Sequence, residues 1–352
     1  MKPVAAALAV CGVEPTIVFT GQHPRLDSAE FGLERHTRIH LHEPGREDPH
    51  CHVGAVTKAL LPVLLRDPPD MLLVQGDTSS ALGAALAGFA ARVPVGHVEA
   101  GLRTHDPLLP WPEEEYRTAI DARAELLFAP SEVSAHNLRA EQVPGEIHVT
   151  GNTGIDAALE AEAKLGSGGV RERGARRVLV TCHRRESWGD GLASVAKAAK
   201  EIAALGLAEV DFILHPNPFV AQNMRQLLGD AGSVNLCEPC SHGELLGRMR
   251  KSDLVLSDSG GIQEEAPTLG VPLLVLREKT ERPEGIAAGT SRLVGTDSAM
   301  IVRTARDLLG NPASLAAMSR RVLPFGDGRA GPRIASIIVD WLERRSLTRR
   351  LA

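Results

Sequence analysis

The sequence has no surplus of basic residues: Lys and Arg total 39 against 44 Asp and Glu, a formal charge of −5. Nucleic-acid-binding domains are usually strongly basic, so no nucleic-acid partner is expected. No apolar run approaches the roughly 20 residues needed to span a bilayer, so no membrane partner is expected either. The opening MKPVAAALAVCGVEP has too little charge before too short an apolar run to read as a secretory signal. The expected location is cytoplasmic. Cysteines are few, odd in number and scattered, at Cys11, Cys51, Cys182, Cys237 and Cys240. That fits reduced thiols rather than a disulfide framework. The CEPC motif (Cys237 to Cys240) lacks a second pair or a His partner at zinc-site spacing, and His50 and His52 alone make a poor site. No metal is expected.

What is present is an ordinary globular composition, 43% hydrophobic and 24% charged, with enough length at 352 residues for two domains. Short aliphatic or β-branched runs alternate with longer amphipathic or alanine-rich ones. The expected strands of the first half are TIVFT (16–20), MLLVQ (71–75), PVGHV (94–98), LLFAP (126–130) and IHVTG (147–151). Those of the second half are RVLVT (177–181), DFILH (211–215), DLVLS (253–257) and PLLVL (272–276). Continuous apolar strands with helical spacers predict parallel sheets covered on both faces, an α/β fold. The glycine-rich, charged segment KLGSGGVRERGARR (164–177) is the best linker candidate. It sets a first domain at 1–165 and a second at 176–330, with 331–352 read as a C-terminal helix packing back on the first.

Dense polar motifs fall at the carboxyl ends of these strands. GQH, GDT and EAGLR follow the first three; CHRRE, PNP, DSGG and REKTERPE follow those of the second half. In open α/β sheets that edge is where ligands bind. A strand must end in some polar turn, which accounts for a single Asp or Gly. It does not account for His183 followed by Arg184, Arg185 and Glu186. Two such domains facing each other would line one cleft from both sides.

In SDSGGIQEEA, Ser259, Gly260 and Gly261 open a helix. Glycines admit a ligand close to the backbone, and free N–H groups with the helix dipole favour a phosphate. The stretch is neither a dinucleotide fingerprint nor a P-loop, and the chain is read as holding neither GxGxxG nor GxxxxGK(S/T). A plain helix cap, Ser259 or Asp258 with Glu264 and Glu265 in support, is the structural alternative. His183 beside Arg184 and Arg185 makes a diphosphate anchor, and Arg282 follows in the same half. In the first half Asp77 and Glu99 lie at neighbouring strand ends. Glu113, Glu114 and Glu115 open a helix, where a Glu113–Arg117 pair would also stabilise it. Carboxylates in one half and phosphate-binding groups in the other suggest proton transfer on an anionic, phosphorylated substrate.

GDTSS, GHVEAGLRT, PWPEE, TGNTGIDA, HRRESWG, DSGGIQEEAPTLGVPLLVLREKTERPEG and GTD, in that order, resemble the non-hydrolysing UDP-N-acetylglucosamine 2-epimerases. The resemblance runs from TGQH to FGDGRAG. It implies two facing Rossmann-like domains, the GT-B arrangement of one large class of glycosyltransferases, with the active site in the cleft and a homodimeric assembly. It places acid/base carboxylates at Asp77, Glu99 and Glu113. It puts His183 on the diphosphate side, with Ser259, Gly260 and Gly261 around the phosphates, Glu265 at the ribose and Arg282 at the diphosphate; His183 is counted with the catalytic residues, and Arg117 and Arg184 with the substrate-binding set. The implied reaction interconverts UDP-GlcNAc and UDP-ManNAc, feeds cell-surface polysaccharide synthesis and demands no cofactor. A UDP-sugar glycosyltransferase and a catalytically impaired UDP-sugar-binding homologue are the alternatives.

Two departures carry expectations of their own. Family members open with a strand and a loop resembling GTRPEAIK; here MKPVAAALA matches the end of that loop and the helix after it. The first sheet is therefore expected to miss a central strand. In HEPGRED, Glu43 and Arg46 stand where bacterial members carry a glutamine pair for a second UDP-sugar, so substrate activation is not expected.

Overall fold

The computed structural model describes residues 1–22, 32–33, 35–165, 175–182, 189–229 and 234–351, with the backbone alone for 348–351. Its contacts divide the chain into two units, Met1–Ala157 with Phe325–Ala352, and Ala158–Pro324.

The first unit begins α1 (Lys2–Val10), β1 (Thr16–Phe19), β2 (Thr37–His40), α2 (Pro49–Arg66), β3 (Leu72–Gln75) and α3 (Ser79–Ala91). It continues with β4 (Val95–Val98), α4 (Glu113–Asp121), β5 (Leu126–Ala129), α5 (Glu132–Ala140), β6 (Glu146–Val149) and α6 (Thr153–Leu165). All pairings are parallel, but they form two sheets, β1-β2 and β3-β4-β5-β6. Among the described residues no strand joins β1 to β3. The described strands of the first unit thus form two separate parallel sheets.

The helix α6 passes from one unit to the next. The second unit holds β7 (Arg177–Thr181), α7 (Asp190–Ala204), β8 (Glu209–Ile213), α8 (Pro218–Leu228), β9 (Val234–Cys237) and α9 (His242–Lys251). Then come β10 (Leu254–Ser257), α10 (Gly260–Leu269), β11 (Leu273–Val275), α11 (Glu284–Ala287), β12 (Ser291–Leu293), α12 (Ser298–Gly310) and α13 (Pro312–Met318). The last helix, α14 (Ala330–Leu351), belongs to the first unit. The six strands are parallel in the order β12-β11-β10-β7-β8-β9. Counted from β7 this is the doubly wound order 3-2-1-4-5-6, whose switch point lies between β7 and β10.

Strand alternation explains the layers. Val178, Val180, Leu254, Leu256 and Leu274 face α7 and α12, while Leu179, Val255 and Leu273 face α9 and α10. Both faces being covered, the strands read as unbroken apolar runs. In the first unit, Val98, Leu126 and Phe128 pack against Val4 and Leu8 of α1 and Ile334, Ile338 and Trp341 of α14. The opposite face packs Val74 and Val95 against α3 and Ile120 of α4.

Against the expectation that the chain holds no GxGxxG, the letters GDGRAG at 326–331 fit that pattern. This helix start is already occupied from within the fold. Asp156 accepts from the Ala330 and Gly331 amides at 3.0 and 2.7 Å, and Gly326 lies against Gly151.

Candidate active site

Two successive strand ends of the first unit carry the first two expected carboxylates. After β3 the chain turns at Gly76 (φ +67°) into Asp77, and Thr78 caps α3 by accepting from the Ala81 amide at 3.2 Å. Asp77 forms an ion pair with Arg117 of α4, whose other guanidinium nitrogen reaches Glu114 at 3.1 Å. Arg117 is 1% exposed, so its pair with the buried Glu114 is made out of water, while Asp77 keeps part of its carboxylate exposed.

One residue past β4, Glu99 has a positive φ of 70°. That conformation costs a non-glycine residue about 1 kcal/mol or more and clusters at functional sites. Its carboxylate accepts from the Asn152 amide at 2.8 Å and from the Gln75 amide at 3.1 Å. Gln75 also donates to Thr153 (3.2 Å), while its own oxygen accepts from the Met1 amine at 2.6 Å, which fixes which way the amide faces. A β-carbon built on Gly76 would lie 3.2 Å from Glu99 Oε2, so the Asp77 turn and the Glu99 side chain touch.

Glu113, half-buried, opens α4 with Glu114 buried beside it. The two are not equivalent. Glu114 accepts from the Thr104 and His105 amides at 3.0 and 2.9 Å and pairs with Arg117. It therefore ties the loop after β4 to α4.

In the second unit, Ser259 caps α10 by accepting from Ile262 at 3.5 Å, and Gly260 and Gly261 form its first turn. This start follows β10, at the switch point of the sheet. Beneath it Thr181 and Ser257 share a hydroxyl hydrogen bond of 2.7 Å across β7 and β10. A β-carbon on Gly261 would meet both Glu265 Oε1 and Ser259 Oγ at 3.9 Å, so these groups surround one spot.

The two glutamates of that helix diverge. Glu265 takes a 2.7 Å bond with the exposed His242 at the start of α9, and this bond holds the imidazole above its usual pKa. Glu264 instead accepts from Arg282 Nε at 2.6 Å. Arg282 also pairs with Glu281, which reaches Arg277 at 3.0 Å. Glu264 was expected merely to support the helix start; it anchors the arginine of the following loop. His183 and Arg184 lie outside the described residues.

Three further groups, His97, Arg103 and Asp121, gather under the first-unit loops. His97, fully buried on β4, bonds Asp121 at 2.6 Å and the Gly76 carbonyl at 2.9 Å. Asp121 also accepts from the Gly101 amide at 3.1 Å and from Arg103 at 2.8 Å. The HVEAGLR motif contains both His97 and Arg103, but Asp121 is a helix away. Among the described residues no group of His, Cys, Asp and Glu is arranged to hold a metal, and no described helix is long and apolar enough to cross a membrane.

Comparison with known proteins places this geometry in a family. The UDP-N-acetylglucosamine 2-epimerase family model matches residues 7–339. The UDP-N-acetylglucosamine 2-epimerase of Salmonella typhimurium is 43% identical over 81% of this chain and 80% of its own length. That of Escherichia coli K12 is 40% identical over 95% and 93%. Among solved structures, the UDP-GlcNAc 2-epimerase of Neisseria meningitidis bound to UDP-GlcNAc superposes with a TM-score of 0.89 at 35% identity, covering 98% of this chain and 96% of that one. With the doubly wound sheet, the Ser-Gly-Gly helix start at its switch point and carboxylates at adjacent strand ends, this chain belongs to the UDP-N-acetylglucosamine 2-epimerase family.

Proposed function

We propose that the protein is an isomerase that interconverts UDP-GlcNAc and UDP-ManNAc, with no cofactor. The observation that carries the reading is the family match over residues 7–339, in which Asp77 and Glu99 stand at neighbouring strand ends. The C2 hydrogen of an N-acetylhexosamine is not next to a carbonyl, so direct deprotonation is hard. Breaking the C1–O bond to UDP lets positive charge develop at C1 and acidifies that hydrogen. A carboxylate takes the proton, the C2–H electrons form the C1–C2 double bond, and UDP leaves with the electrons of the C1–O bond. The product is a 2-acetamidoglucal. A proton delivered to the other face of C2 and re-addition of UDP at C1 complete the inversion.

Asp77, Glu99 and Glu113 supply the acid/base groups, which act on opposite faces of the ring. Ser259, Gly260 and Gly261 hold the diphosphate through backbone amides at a helix start, joined by Arg282, His183 and Arg184. Glu265 takes the ribose and Arg117 orients Asp77. The family resemblance supports a cytoplasmic homodimer whose product feeds polysaccharide synthesis. Proton NMR of the chain with UDP-GlcNAc in D2O tests the reaction. UDP-ManNAc carrying deuterium at C2 is the expected product. An unchanged sugar, or a new one that keeps its original C2 proton, refutes the mechanism.

A further inference from the structure

His97 and Asp121 are both 0% exposed, and neither has an assigned role. A buried charged pair is expensive unless every donor and acceptor is used. Here the bonds are directional. The Gly76 carbonyl can only accept, so His97 Nε2 must carry a proton. The 2.6 Å contact of Nδ1 with Asp121 Oδ1 admits two states. In one, an imidazolium donates to a carboxylate. In the other, a protonated Asp121 donates to a neutral ring. Asp121 Oδ2 decides between them, because it already accepts from the Gly101 amide at 3.1 Å and the Arg103 guanidinium at 2.8 Å. Two donors on that oxygen, one of them the Arg103 guanidinium, favour the ionised carboxylate, which leaves Nδ1 as the donor to Oδ1.

The electrostatics agree. Burial alone would lower the His97 pKa, but the charge and hydrogen bond of Asp121, the Gly76 carbonyl and the charge of Asp77 raise it above its ordinary value. Burial would likewise raise Asp121; His97 and Arg103 together bring it below the usual carboxylate range. The other charged group on this network is Glu141, which grips Arg103 through two bonds of 2.7 Å.

The pair also has a particular place in the fold. Through His97 it holds the carbonyl of Gly76, immediately before Asp77. Asp121 directly holds Gly101, two residues beyond Glu99, and it ends α4, the helix that Glu113 begins. We propose that the buried His97–Asp121 pair is an imidazolium–carboxylate clamp, a pair of positioning residues that fixes the Asp77 turn, the Glu99 loop and helix α4 relative to one another. It rests on the epimerase reading for its effect on catalysis, though not for its ionisation state.

The test uses the full chain labelled with 15N-histidine. Long-range 1H–15N NMR is recorded from about pH 6 to about pH 9, where an ordinary imidazole loses its proton. The His97 signals are identified by their loss in His97→Gln, or by their displacement in Asp121→Asn should the first variant not fold. At neutral pH, above the ordinary imidazole value, both His97 ring nitrogens are expected to show protonated shifts. One bare ring nitrogen at neutral pH overturns the clamp. In kinetics, Asp121→Asn is expected to lower kcat about a hundredfold, the scale of a small misplacement of catalytic groups. KM for UDP-GlcNAc and Kd for UDP are expected to stay within about threefold. Unchanged kcat, or a loss fully explained by a smaller folded fraction, overturns the positioning role. A wild-type chain inert toward UDP-GlcNAc counts against the epimerase reading and the catalytic arm with it, while the NMR arm still judges the pair.

Discussion

Gly76 offers a sharp way to separate backbone strain from damage to the site. Its φ of +67° lies in the left-handed region, and a β-carbon there would stand 3.2 Å from Glu99 Oε2. Gly76→Ala therefore carries two costs. The first is conformational, about 1–2 kcal/mol for an L-residue held left-handed. The second is positional: Glu99 must give way by a few tenths of an ångström against its bonds to Asn152 (2.8 Å) and Gln75 (3.1 Å). Gly12→Ala isolates the first cost, since Gly12 has φ +79° and nothing within 4 Å of its would-be β-carbon. Both variants should lose similar stability, seen as a fall in Tm of about 2–4 °C per kcal/mol. Only Gly76→Ala should lose activity, about tenfold to a hundredfold in kcat for a displaced carboxylate. Thermal unfolding and NMR rates of UDP-ManNAc formation read the two effects. Equal losses of activity in the two variants would refute the reasoning.

Arg117→Ala leaves Asp77 and the buried Glu114 without their shared guanidinium, and should cost about 3–5 kcal/mol; urea unfolding measures it, and a loss below about 1 kcal/mol sinks the argument. The His97–Asp121 pair makes stability depend on pH in a defined direction. With Asp121 lowered from 3.8 and His97 raised from 6.5, the pair contributes fully between those values. Its contribution falls as pH drops through the folded Asp121 pKa, and again as pH climbs from 6.5 through the folded His97 pKa. The stability gap between wild type and His97→Gln should shrink correspondingly at either end, and a gap that widens at alkaline pH contradicts this. In the second unit, Glu265→Gln should weaken UDP binding about tenfold, the scale of one hydrogen bond to a charged group. Calorimetry reads it, and unchanged affinity removes Glu265 from the nucleotide site.

Much of the architecture is legible because central parallel strands are covered on both faces. LLFA of β5 and LVLS of β10 are buried at every position, so they announce themselves as apolar runs. The strands that the reading did not name, β2, β9 and β12, end their sheets and are half exposed, which dilutes that signal. The Ser-Gly-Gly helix start and the strand-end acids were readable as local motifs. The Glu113–Glu114 distinction was not, because only the rotation of α4 decides which acid turns inward to the Thr104 and His105 amides. Nor was the His97–Asp121 contact, whose members lie 24 residues apart. The positive φ of Glu99 likewise leaves no trace in composition.

The place of α14 bears on how the chain is born. The ribosome delivers the second unit, residues 158–324, as one continuous stretch, whereas the first waits for Phe325–Ala352. Ile334, Ile338 and Trp341 must arrive before Val4, Leu8 and Phe128 are sealed. Translation usually lets the N-terminal domain settle first. Here that unit is the discontinuous one: its core is closed by residues that follow the whole of the second unit in the chain, so its folding must bridge the longer separation.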